Sequence, residues 1–191
     1  MKFALGYQQP ENGESFADIV TDYRDSLAEV FFPWGGAPSG RVALGRGKGS
    51  FDFGAQMELE NDLRRIRGFG IKLDLLFNAN CYGNHAISRS LEHETNALLE
   101  YLDSLGLLPE IVTTTSPFLA MSIRKHAPKI EIRASVNMRL DSTSAMSYVV
   151  DLFDSFYIRR DIQRDLTAVR EVKTWCDNHN KKRELNLQVQ P

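Results

Sequence analysis

The feature that most constrains this chain is a rhythm: short strand-like runs alternate with stretches whose apolar residues recur at helical spacing. "KFALGY" (2–7) precedes a segment that puts Phe16, Ile19, Tyr23 and Leu27 on one helical face. "EVFFPW" (29–34) is followed, after a long loop, by Leu59, Leu63 and Ile66. "IKLDLLFN" (71–78) leads to Leu91, Leu98, Leu102 and Leu105, with Gly106 and Pro109 closing that helix. "EIVTTT" (110–115) is followed by a short helix from Pro117 to His126, and "IEIRASVN" (130–137) by one around Ala145 to Phe153. "SFYIRR" (155–160) precedes a helix with Leu166, Val169, Val172 and Cys176 inward, and "RELNLQV" (183–189) is the seventh strand.

Six strand–helix units and a further strand predict a parallel sheet covered by helices. The expected closure is an incomplete TIM-like (β/α) barrel of about seven strands, with an open doubly wound parallel sheet as the alternative. The barrel is favoured because no glycine fingerprint follows the first strand, as a dinucleotide-binding sheet would prefer. Residues 1–191 are expected to form one domain, about one β/α unit short of a full barrel. The edges of the first and seventh strands then need cover from a partner chain, a second copy or a further segment.

Composition narrows the partners. The formal net charge of −2 gives no overall pull toward nucleic acid or anionic membrane, so RNA would have to meet a local basic patch. No apolar run approaches the ~20 residues of a membrane span, and the apolar start of the chain is too short for a signal peptide. Cys81 and Cys176 are too far apart in sequence to announce a disulfide framework. A reducing cytoplasm is the expected compartment.

In either architecture a site forms at the carboxyl ends of the strands. That rule selects Gln8 and Gln9, Trp34, Asn78 to His85, Thr115 and Ser116, Asn137 and Arg139, Arg159 to Asp161, and Gln188. Amides and arginines dominate the set, which suits a small anionic or peptide-like ligand. The substrate-binding candidates are Asn78, Asn80, Cys81, His85, Asn137, Arg139, Arg160 and Asp161; no catalytic residue is assignable.

Cys81 and His85 would make a nucleophile and base only within hydrogen-bond reach, and as metal ligands they are two where zinc wants three or four. No metal and no cofactor is expected, and a polar loop is the simpler reading of the pair. The glycine-rich loop 33–54 carries Arg41, Arg46 and Lys48, but Gly49 follows Gly47-Lys48 where a phosphate-binding loop needs Ser or Thr. It reads as a binding loop or as a solvated connector, with neither preferred. Asp141 or Ser142 is expected to cap a helix, which leaves Asn137 without a structural duty, and Asp165 is expected to cap the last helix. By alternation, one of Arg159 and Arg160 faces the barrel mouth and pairs with Asp161.

The stretches "AEVFFPWG" (28–35), "LDLLFNANCYG" (73–83), "IRASVNMR" (132–139), "FYIRRDIQRDL" (156–166) and "RELNLQV" (183–189) resemble the N-terminal half of the collagenase-like peptidase (U thirty-two) family. The resemblance implies a barrel-like catalytic domain of bacterial proteins that include peptidases, a hydrolase or a part of an RNA- or quinone-modifying enzyme. It also implies Asn78, Asn137, Arg160 and Asp161 as residues of the barrel mouth. The iron–sulfur cluster of some members takes cysteines downstream of the strand matching "RELNLQV", and two distant cysteines cannot supply one. The alternative is a non-catalytic barrel that binds a small anion, RNA or a partner protein.

Overall fold

A computed structural model describes residues 2–9, 14–40 and 52–185. Among them, seven strands alternate with six helices: β1 (Phe3–Gly6), α1 (Phe16–Tyr23), β2 (Leu27–Phe32), α2 (Phe53–Gly68), β3 (Lys72–Phe77), α3 (Arg89–Ser104), β4 (Ile111–Thr114), α4 (Pro117–His126), β5 (Glu131–Ala134), α5 (Thr143–Ser147), β6 (Ser155–Ile158), α6 (Leu166–Asn178) and β7 (Lys182–Leu185). Each helix begins where a short polar side chain takes up its free backbone N–H groups: Ser15, Asp52, Ser88, Ser116, Ser142 and Asp165.

All pairings are parallel, and the strands lie in the order β1-β2-β3-β4-β5-β6-β7. This order decides between the two closures. A doubly wound sheet reverses direction at a switch point and carries helices on both faces. A monotonic order of right-handed crossovers places every helix on one face and curls the sheet away from them. The chain is therefore an incomplete TIM-like barrel, and the doubly wound alternative is overturned. The curl is visible in one ion pair: Arg133 on β5 meets Glu29 on β2 at 2.5 Å. Three strand spacings, about 14 Å across a flat sheet, separate those strands.

The main core lies between the sheet and its helices. Val30, Phe32, Leu73, Leu75, Phe77, Val112, Ile132, Phe156 and Ile158 face helix residues such as Leu59, Leu63, Ile66, Leu99, Leu102, Leu119 and Ile123. The predicted stripe of α2 is the one that packs; in α3, Leu91 and Leu102 are buried as predicted, Leu98 and Leu105 are half-buried, and Thr95 and Leu99 complete the buried face. Three helices differ from expectation. In α1 the buried face is Phe16, Ala17 and Val20, while Ile19 and Tyr23 are exposed; small Ala17 lets the helix seat on that side, and Leu27 begins β2. The helix expected to reach Phe153 ends at Ser147 and continues as tighter turns, Val149 N–H to Met146 O and Leu152 N–H to Val149 O. Leu166, predicted inward, starts α6 beside its cap and is exposed, whereas Val172 and Cys176 are buried as expected. Among the described residues no helix is long and apolar enough to cross a membrane.

Candidate functional site

The mouth is built where β3 and β5 end. Inward positions on β3 are Lys72, Asp74 and Leu76, so alternation carries Asn78 to the mouth. After β5 the chain makes a tight turn over Val136–Met138, held by Ser135 Oγ accepting the Asn137 N–H at 3.2 Å. This turn delivers Asn137, whose Nδ2 donates to the backbone oxygen of Asn78 at 2.9 Å. The two asparagines selected from sequence therefore meet. Asn78 keeps a buried Oδ1 with no hydrogen-bond partner. Arg139 ends the turn at φ 53°, in the left-handed region that a residue with a Cβ seldom adopts.

The remaining candidates lie on the segments that follow β3, β5 and β6. Arg159 reaches Asp161 through two nitrogens (Nε at 2.7 Å) and Asp141 at 3.1 Å. Arg159, rather than Arg160, thus forms the expected pair with Asp161. Arg139 and Arg160 are exposed and make no ion pair among the described residues. Asn80, Cys81 and His85 are exposed as well. Cys81 Sγ accepts the Gly83 N–H at 3.4 Å and is not hydrogen-bonded to His85, so no nucleophile–base pair is preformed there. Among the described residues no His, Cys, Asp or Glu group could hold a metal ion. Arg41, Arg46, Lys48 and Gln188 lie outside the described residues.

Below the mouth, the inner face of the sheet is charged where barrels commonly stack branched apolar side chains. Arg133 donates to both carboxylate oxygens of Glu29 (2.5 and 3.1 Å), to Glu131 (3.2 Å), to the Ser155 hydroxyl (3.1 Å) and to the Tyr157 hydroxyl (3.2 Å). Asp74 lies 3.7 Å from the same guanidinium and accepts from Thr113 Oγ1 at 2.8 Å, while its other oxygen is buried and unpaired. Lys182 closes the ring on Glu131 at 2.6 Å.

Burial decides the protonation of this layer. It pushes the Asp74 carboxyl up to about 7; Arg133 opposes this, and the neighbouring Glu29 adds to it. Burial also works against ionising Glu131, but hydrogen bonds from Lys182 and Ser155 and the Arg133 charge outweigh it and lower its pKa. For Arg133, burial is outweighed by Glu29 and Asp74, which hold the guanidinium firmly charged. Strand-end reasoning missed this layer. The available signal was a charge inside an apolar strand: Glu29 in "AEVFF", Asp74 in "KLDLLF" and Arg133 in "IEIRAS".

No family model and no curated protein matches the chain. Solved structures do. A U32 peptidase superposes with a TM-score of 0.67 at 14% identity, over 97% of this chain and 67% of that one. A glycoside hydrolase family 5 mannosidase from Rhizomucor miehei gives 0.58 at 10% identity, over 94% and 66%. The dipeptide epimerase from Enterococcus faecalis gives 0.55 at 14% identity, over 96% and 46%. The chain thus spans about two thirds of the first two and under half of the third. What they share with it is the barrel.

The fold resembled in sequence, that of the U32 peptidases, is therefore the fold observed, and its neighbours include hydrolases and epimerases built on the same barrel. Asn78 thus has a buried amide oxygen without a partner, Arg139 and Arg160 make no ion pair among the described residues, and burial raises the Asp74 carboxyl to about 7.

Proposed function

We propose that the strand ends bind a small peptide-like ligand carrying a carboxylate, in a hydrolase-like barrel domain related in action to the peptidases it resembles. The observation that carries this reading is Asn78. Its buried Oδ1 lacks a donor while Asn137 occupies its backbone oxygen. An unmet buried acceptor costs about 1–3 kcal/mol, and a peptide N–H supplies the missing donor. Arg160 and Arg139 stand free for a carboxylate, with Asp161 and Arg159 already paired beside them. Asn80, Cys81 and His85 form the exposed rim of the same mouth.

Titration with acetyl-dialanine and with its amide, read by calorimetry, tests this. Asn78→Ala is expected to weaken both at least tenfold, and Arg160→Ala to weaken only the free carboxylate. Equal binding by wild type and Asn78→Ala would sink the proposal. Cleavage of the bound peptide, followed by mass spectrometry, separates a hydrolase from the second reading, a binding domain without catalysis. That second reading is favoured by the absence of a hydrogen bond between Cys81 and His85.

A further inference from the structure

A cavity of about 570 Å³ lies outside the barrel, walled by the loop after β2 and by α2 and α3. This is the size of a small-molecule site. Trp34, Phe53, Leu98 and Tyr101 are among its lining residues, the Trp34 and Tyr101 rings meeting edge-on at 5.9 Å. Its polar groups are few and unequal. Tyr101 and Gln56 already donate to Glu60, at 2.9 and 3.1 Å. Thr95 is 1% exposed, lines the cavity, and its hydroxyl has no partner. Glu94 stands beside it on α3; it accepts the Ser90 hydroxyl at 2.7 Å and makes no ion pair among the described residues. No lysine, arginine or histidine is among the described lining residues.

We propose that this cavity binds a small aromatic amine, with its ring against Trp34, Phe53 and Leu98 and its ammonium group at Glu94 and the Thr95 hydroxyl. Three features argue for this chemistry. Aromatic walls bind a flat apolar body and attract a cation through their ring faces. The Glu94 carboxylate, without an ion pair among the described residues, selects a positive charge over a negative one. The orphaned hydroxyl rewards a ligand that hydrogen-bonds to it and penalises one that leaves it dry. The cavity is separate from the mouth, and this proposal does not rest on the peptide-like ligand proposed there.

The test is a titration of the full chain with 2-phenylethylamine, its N-acetyl amide and phenylacetate, read by two-dimensional NMR. The indole N–H of Trp34 reports the cavity. That of Trp175, which donates to Ser147 at 3.1 Å against α5, is the internal control. We expect saturable movement of Trp34 alone, with the amine bound at least tenfold more tightly than the amide or the acid. Glu94→Gln should abolish that preference, and Thr95→Val, close in shape, should weaken all three while leaving the rest of the spectrum in place. Movement of Trp175 instead, equal or tighter binding of phenylacetate, or a preference that survives Glu94→Gln would each overturn the proposal.

Discussion

Replacing Asp74 with Asn should change how the protein's stability depends on pH. In the unfolded chain this carboxyl titrates at its ordinary 3.8, whereas burial beside Glu29 moves it to about 7 in the fold, against the pull of Arg133. Between those values the folded state holds a proton that the unfolded state has lost. Stability from this group is therefore fully present below pH 4 and falls as pH rises toward 7. Each unit of separation is worth about 1.4 kcal/mol, so the loss is about 4 kcal/mol in all. Asn mimics the protonated acid and does not titrate. The difference between variant and wild type is expected to be small at pH 4 and to grow by about 4 kcal/mol in the variant's favour by pH 8. Urea unfolding at half-unit intervals measures it, and titrating groups that do not interact with Asp74 cancel in the difference. Parallel stability curves, with a constant offset, would refute the buried, proton-holding Asp74.

Arg133→Met leaves Glu29 and Asp74 buried without their cation and is expected to cost about 3–5 kcal/mol by denaturant unfolding, most of it recovered when Glu29→Leu is added. Lys182→Met removes the Glu131 partner; because a lowered carboxylate pKa stabilises only above the unfolded value, the deficit should be full at pH 7 and vanish as pH falls through the lowered pKa of Glu131. Of the two thiols, exposed Cys81 should react with a disulfide reagent at once and buried Cys176 only on unfolding, so rapid modification of both in the native protein would contradict the placement of Cys176.

The barrel was legible because its signal is local and repeated. Strand runs, helical stripes and capping residues such as Asp165 each occupy a few neighbouring positions, and every repeat supports the next. Errors fell where local pattern yields to packing. Tyr23 belongs to the apolar stripe of α1 by spacing, yet small Ala17 and Val20 take the seat against the rest of the molecule. The mouth was legible in part, since strand ends position Asn78 and Asn137 by rule, but their contact spans 59 residues of sequence and depends on the turn at Val136–Met138. Choosing Arg159 over Arg160 as the partner of Asp161 required the backbone path after β6. The inner charged layer was the least legible element. The rule that barrel interiors are apolar argues against it, and Glu29 finds Arg133 104 residues away only after the sheet has curled.

The loop after β2 connects the two candidate sites. Trp34 to Pro38 form one wall of the outer cavity, while the Pro38 carbonyl accepts the Ala79 N–H at 3.1 Å, next to Asn78. Gly40, at φ +66°, lies so close that a Cβ there would come within 3.2 Å of the Ala79 Cα, so both its backbone and its lack of a side chain hold the loop against the end of β3. Phe77 lines the cavity one residue before Asn78 reaches the mouth. The loop after β2 therefore touches both candidate sites. If a ligand in the cavity changed the affinity at Asn78 by some factor through the Trp34–Gly40 loop, linkage would require a ligand at Asn78 to change the cavity's affinity by the same factor.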